Sequence, residues 1–181
     1  NNGFTYVSLQ SSKSLCTATL QNYSALYTSI CDQENTLDSV FDNASIDLVL
    51  KHTDEWLYWT DKSTSYALPK FATLSPKEGI LVKASAATSI KIPFDEDSTL
   101  LNEYTFLPQS GWTMLSNQQE QTTQEITTAL SAEGKELVYI LLVRDDVWYI
   151  HAPSEDATTF IPDTPRLSKV LRYETYWVYF R

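Results

Sequence analysis

Glycine is scarce in this chain, with only 4 in 181 residues. Loops that cradle phosphate need glycine so that backbone N–H groups can close around the anion, so nucleotide-binding folds of the P-loop or dinucleotide type are not expected. Positive charge is also in short supply. Lys and Arg number 13 against 23 Asp and Glu, for a net charge of −10. A surface of that sign repels both nucleic acid and anionic lipid, and neither is expected as a partner. Long apolar runs are missing too. The longest is Leu137-Val138-Tyr139-Ile140-Leu141-Leu142-Val143. A bilayer-spanning helix takes ~20 apolar residues, so this run reads as a buried strand and no membrane-spanning segment is expected. Met114 is the only methionine, and the chain opens Asn1-Asn2-Gly3. We read that opening as a removed leader or as a piece of a longer protein.

Cysteine is limited to Cys16 and Cys31, with 14 residues between them. No Cys-x-x-Cys pair and no neighbouring histidine suggests zinc, and no metal or cofactor is expected. Three readings fit the pair: two buried thiols, a structural disulfide, or a catalytic cysteine. The disulfide is preferred, because closing a loop of about 15 residues is worth ~3 kcal/mol in the chain-entropy model. It implies an oxidising compartment: periplasm, cell surface or medium.

Aromatics, by contrast, are plentiful at 13%, with 11 Tyr, 7 Phe and 5 Trp. The chain is also similar to itself. Gly3-Phe4-Thr5-Tyr6-Val7-Ser8 matches Gly111-Trp112-Thr113-Met114-Leu115-Ser116 at an offset of 108. Residues 46–58 match 138–150 at an offset of 92, which places Trp56 on Trp148. Glu78-Gly79-Ile80-Leu81-Val82-Lys83 matches Glu174-Thr175-Tyr176-Trp177-Val178-Tyr179 at an offset of 96. The first half thus carries 108 − 92 = 16 extra residues between the first two blocks. That surplus is about the size of the segment from Cys16 to Cys31, which suggests an insertion stapled by its own disulfide. Two modules follow, 1–97 with the insertion and 98–181, divided near the acidic stretch Asp95-Glu96-Asp97. That stretch lacks the central glycine of a calcium loop and reads as a solvated linker.

Alternating patterns predict strands at 4–9, 80–84, 89–93 and 176–180, and hairpins at 46–60 and 138–151 with Asp-rich turns. One short helix is predicted in each copy, over 33–41 and 122–130, the second stopped by Gly134. The fold expected is all-β and mainly antiparallel: two tandem small β-barrel or sandwich modules with one short helix per repeat.

The three blocks resemble a small module of bacterial secreted and surface proteins. That module opens on a Gly-Trp-Asn-hydrophobic-hydrophobic-Ser strand, continues through a Trp-bearing hairpin and closes on a Gly-Tyr-Trp-Val-Lys strand. Residues 111–116, the run 75–84 and Tyr176-Trp177-Val178 carry the likeness. Thr113 stands where the module has Asn, Glu78 where it has Gly, and the second copy lacks the Gly-x-Gly turn. The resemblance implies an extracellular β module without catalytic activity.

No catalytic constellation emerges from the residues. His52 and His151 are the only histidines, and neither accompanies a nucleophile motif such as Gly-x-Ser-x-Gly. Asp54-Glu55 and Asp145-Asp146 are paired carboxylates, but turn chemistry accounts for both. The aromatics remain. In Trp56-Leu57-Tyr58-Trp59 and Val147-Trp148-Tyr149, adjacent rings point to opposite faces of a strand. Trp56 and Trp148 are expected in the core, and Trp59 is expected as the oddest residue to meet solvent. Trp59, Tyr58, Tyr149 and Trp148 are therefore the candidate ligand-binding residues, offering aromatic surface to a protein or glycan. The expected role is non-enzymatic recognition or adhesion in a secreted, periplasmic or cell-surface protein. A sensor domain with a pocket between the copies and an accessory carbohydrate-binding domain are the alternatives.

Overall fold

β-Branched and aromatic residues in alternation favour extended backbone, and strands dominate the chain. The computed structural model describes residues 4–8, 13–21, 31–42, 45–76, 78–91, 110–131, 135–154 and 163–181. In chain order the elements are β1 (Phe4–Ser8), β2 (Ser14–Cys16), α1 (Ala18–Gln21), β3 (Cys31–Thr36), α2 (Leu37–Phe41), β4 (Ile46–His52), β5 (Trp56–Trp59), β6 (Thr73–Leu74) and β7 (Gly79–Ala84). They continue with β8 (Gly111–Ser116), β9 (Gln121–Thr122), α3 (Thr123–Ser131), β10 (Leu137–Arg144), β11 (Val147–His151), β12 (Lys169–Val170) and β13 (Thr175–Phe180).

Two four-stranded antiparallel sheets organise the chain, in the orders β1-β7-β4-β5 and β8-β13-β10-β11. Each is built from the three sequence blocks in the same spatial arrangement. Two smaller sheets, β3-β2-β6 and β9-β12, accompany them. Neither four-stranded sheet closes into a barrel.

Hydrogen bonds that tie the loops recur between the halves. Tyr58 N–H donates to Pro69 C=O and Phe71 N–H to Tyr58 C=O; Ile150 N–H donates to Pro165 C=O and Leu167 N–H to Ile150 C=O. Thr17 N–H reaches Ala72 C=O as Thr123 N–H reaches Ser168 C=O, and Ser85 N–H reaches Ser45 C=O as Arg181 N–H reaches Glu136 C=O. On the closing strands and the segments before them, every such correspondence is 96 residues. On the hairpins the pairing refines the offset read from sequence. Leu50 pairs with Leu81 and Tyr58, and Leu141 with Trp177 and Ile150, so β4 maps to β10 at 91, not 92. The physical reason is one residue of loop: Thr53-Asp54-Glu55 links β4 to β5, whereas only Asp145-Asp146 links β10 to β11. Asp145 and Asp146 both have positive φ (53° and 60°), as a two-residue type I′ turn requires.

Cys16 and Cys31 form a disulfide, with Cα atoms 5.8 Å apart and both residues fully buried. Thr17 and Thr123 correspond at an offset of 106, so the first half gains 106 − 91 = 15 residues before Leu50. α1 follows β2 as α3 follows β9, while α2 precedes β4 as α3 precedes β10. Among the described residues the first half therefore has two short helices where the second has one. Asp38 of α2 joins them by accepting from Ala18 N–H at 2.7 Å. The helix expected over 33–41 is confined to Leu37–Phe41, because residues 31–36 are strand β3. Thr36 caps α2 in a capping box with Ser39, and Thr122 with Glu125 does the same for α3. Residues 89–91, expected in a strand, have no regular structure. Pro93, the acidic stretch at the 97/98 boundary and Gly134 lie outside the described residues.

Each large sheet buries one face against its own core. Leu15, Leu37, Phe41, Val49, Trp59, Leu74, Ile80 and Val82 form part of the first core. Ile126, Ile140, Leu142, Val170, Tyr176, Val178 and Phe180 form part of the second. The opposite faces meet one another. Thr175 Oγ1 donates to Val7 C=O at 3.1 Å, Thr113 Oγ1 to Thr53 C=O at 3.2 Å, and Trp177 Nε1–H to the Tyr6 hydroxyl at 3.4 Å. An antiparallel bridge joins Glu78 to Leu115. β1, β7 and β4 make most of this contact with β8 and β13. The sheets thus form the two middle layers, with a core on the outer side of each.

Candidate functional site

Where the sheets diverge, six side chains line an open groove of about 300 Å³: His52, Trp56, Trp112, Leu141, Trp148 and Trp177. Four of the five tryptophans in the chain converge here. They come from four strands, β5, β8, β11 and β13, in both halves. On β13, Tyr176, Val178 and Phe180 turn to the core, which leaves Thr175, Trp177 and Tyr179 for the inter-sheet side. Trp112 pairs with Tyr179 on β8, and its ring lies 5.0 Å from that of Tyr179 and 6.3 Å from that of Tyr139.

Short crossing segments pair with the edge strands β5 and β11 close to Trp56 and Trp148. On the face shared by Trp56 and Tyr58, the stretch 69–71 hydrogen-bonds across Tyr58, and Tyr66 packs on its ring at 5.0 Å. On the face shared by Trp148 and Ile150, the stretch 165–167 does the same across Ile150. Each segment bridges its edge strand at that one position, and the tryptophan two residues earlier on the same face lines the groove. Trp56 is half-buried and Trp148 is 49% exposed, which corrects the expectation that both lie in the core.

The rings on one side of the groove are tightly associated. Trp56 and Trp177 have centroids 5.6 Å apart at 66°, and His52 lies 4.9 Å from Trp56 and 5.5 Å from Trp177, edge-on to each. His52 Nδ1 is buried without a hydrogen-bond partner among the described residues. Exposed carboxylates lie close in sequence to two of the groove tryptophans. Asp54 and Glu55 precede Trp56, and Asp145 and Asp146 precede Val147 and Trp148. The Thr53 hydroxyl at 2.8 Å, with the backbone N–H groups of Asp54 and Glu55, holds the Asp54 carboxyl below its ordinary pKa.

The four candidate residues separate. Trp148 lines the groove. Trp59 is 5% exposed, packed on Phe41 at 5.8 Å in the first core, and does not meet solvent. Its face of β5 is the core face, shared with Leu57. Tyr58 is buried beneath the crossing segment with the Lys70 ammonium over its ring. Tyr149 is half-buried against the second core, with the Arg144 guanidinium 5.5 Å from its ring. Sequence reading missed Trp112, Trp177, His52 and Leu141. Period-2 alternation is no guide on strands with two apolar faces. One usable signal was the Trp56–Trp148 correspondence, which marks a shared position without saying which way it points.

The buried charges elsewhere are structural. Glu78 accepts from Ser75 N–H and pairs with Lys51 at 2.9 Å; Glu174 accepts from Leu171 N–H and pairs with Arg144 at 2.7 Å. Each carboxylate ties its turn to a strand. His151 lies 3.5 Å from the Thr127 hydroxyl, and burial, aided by Arg166, lowers its pKa. Among the described residues no group of three or more His, Cys, Asp or Glu is placed to hold a metal ion. Among them, too, no helix is long and apolar enough to cross a membrane. No family model matches the chain, and no curated protein or solved structure matches it either.

Proposed function

We propose that this protein is a non-enzymatic recognition module, built from two related copies, whose binding site is the tryptophan groove between them. The convergence of Trp56, Trp112, Trp148 and Trp177 from both halves onto one open surface carries this reading. Large aromatic side chains left to water lose the stabilisation that burial brings, and such surfaces concentrate binding energy in proteins. The recurrence of equivalent hydrogen bonds in the two halves supports the two-copy origin. The Cys16–Cys31 disulfide supports work in an oxidising compartment, in a secreted, periplasmic or cell-surface protein.

The location of the groove favours one alternative in particular: a sensor or solute-binding domain that closes its two sheets on a small molecule. Adhesion and sensing differ in what the groove accepts, and both use the same residues. Tryptophan fluorescence of the intact chain, read against panels of oligosaccharides, peptides and small solutes, tests the shared claim. At least one class should change the emission saturably, and Trp148→Ala should remove the response with melting unchanged. Trp59→Ala should instead unfold the first core, at a cost of about 3–5 kcal/mol. A response in none of the classes would overturn the recognition reading. A rise in melting temperature with a small solute would favour the sensor.

A further inference from the structure

Resting on the groove as a recognition site, we propose that its ligand is a small, net-cationic quaternary ammonium solute of the choline type, held against the tryptophan rings. The lining is the first argument. Among its described side chains only His52 and the indole N–H groups are polar, and the Trp177 N–H is already engaged by Tyr6. A sugar or a peptide backbone brings many donors and acceptors, and each one left unpaired in an apolar groove lowers affinity. A trimethylammonium head brings none.

Ring geometry is the second argument. Trp56 and Trp177 stand at 66° to each other, and Trp112 and Trp148 come from other strands. Rings set at an angle present surface to a tetrahedral methylated cation from several directions, whereas a flat sugar ring is served by parallel platforms. Indole is the best of the aromatic rings for cation–π attraction.

Charge is the third argument. Asp54, Glu55, Asp145 and Asp146 are exposed in the turns that lead to Trp56 and Trp148, no Lys or Arg is among the described lining residues, and the chain carries −10. Such a field draws cations toward the groove and repels anionic solutes.

Fluorescence titration of the intact chain at constant ionic strength tests the assignment, with choline chloride and its uncharged carbon counterpart, 3,3-dimethylbutan-1-ol. Choline should bind saturably, and the alcohol about tenfold more weakly, the ratio one strong cation–π contact supplies. Trp148→Ala and Trp112→Ala should each abolish the response. Asp145→Asn with Asp146→Asn, which keeps residues tolerant of positive φ, should weaken it while the hairpin stays folded. Equal binding of choline and the alcohol would overturn the cationic assignment and leave the recognition reading in place. Binding of an oligosaccharide or peptide with no response to choline would do the same. Sedimentation with phosphatidylcholine vesicles without a response to free choline would overturn the solute as the source. Silence toward every class would remove both readings together.

Discussion

At the scale of single residues, the closest approach of the two sheets depends on Gly79. A Cβ added there would sit 2.4 Å from Thr175 Cγ2 and 2.9 Å from the Leu115 carbonyl oxygen. Backbone cannot move aside as a flexible side-chain tip can, so Gly79→Ala should lower stability by about 1–3 kcal/mol. Urea denaturation measures it. Adding Thr175→Ser removes the nearer clash and keeps the hydroxyl bonded to Val7, so the double variant should recover part of the loss. Unchanged stability in Gly79→Ala would contradict the contact. His151 supplies a pH effect. Its pKa is lowered in the fold, so just below the ordinary value of 6.5 the unfolded chain binds more protons than the folded one. Stability contributed by His151 is full above that value and is lost as pH falls through the folded pKa. Melting temperatures of the wild type and His151→Gln should therefore diverge less at pH 5 than at pH 7.5. Divergence that grows on acidification would refute the sign.

At the scale of elements, the disulfide fastens β2 to β3 and sits among fully buried residues beside Leu15 and Leu37. Cys16→Ala with Cys31→Ala should cost about 3 kcal/mol, most of it through the unfolded chain. A lower denaturation midpoint with an unchanged slope is the expected signature. The hairpins were legible in the sequence because Asp-rich turns interrupt runs of β-formers. The short strands β6, β9 and β12, of two residues each, were not. They exist because the crossing segments hydrogen-bond to strands far away in sequence, which no local pattern records. The helix boundary in the first half was misread for a related reason: residues 31–36 pair with β2 across the disulfide, and that pairing overrides their local pattern. The site was legible only in part. Trp148 was among the candidates, but Trp59 was expected outward and Trp56 inward, the reverse of what β5 adopts.

At the scale of the whole molecule, two cores are joined through the faces of two sheets. Contacts by Tyr6, Val7, Thr53, Glu78 and Gly79 on one side and Leu115, Thr113, Thr175 and Trp177 on the other link the halves. With this much shared surface, unfolding of one half exposes apolar area of the other. Scanning calorimetry should show a single transition with equal calorimetric and van't Hoff enthalpies. Two resolved transitions would mean that the halves hold independently.

The sequence by itself determined the all-β class and the hairpins, because alternation and turn chemistry are local or periodic properties. The disulfide was the preferred of three readings of the two cysteines, and the structure forms it. Only the tertiary structure decided which aromatic face is covered. A strand such as β10 or β13 is apolar on both sides, so its sequence cannot distinguish a core from a second sheet. The decision rests on how closely Gly79 lets the sheets approach, which is set by residues distant in the chain.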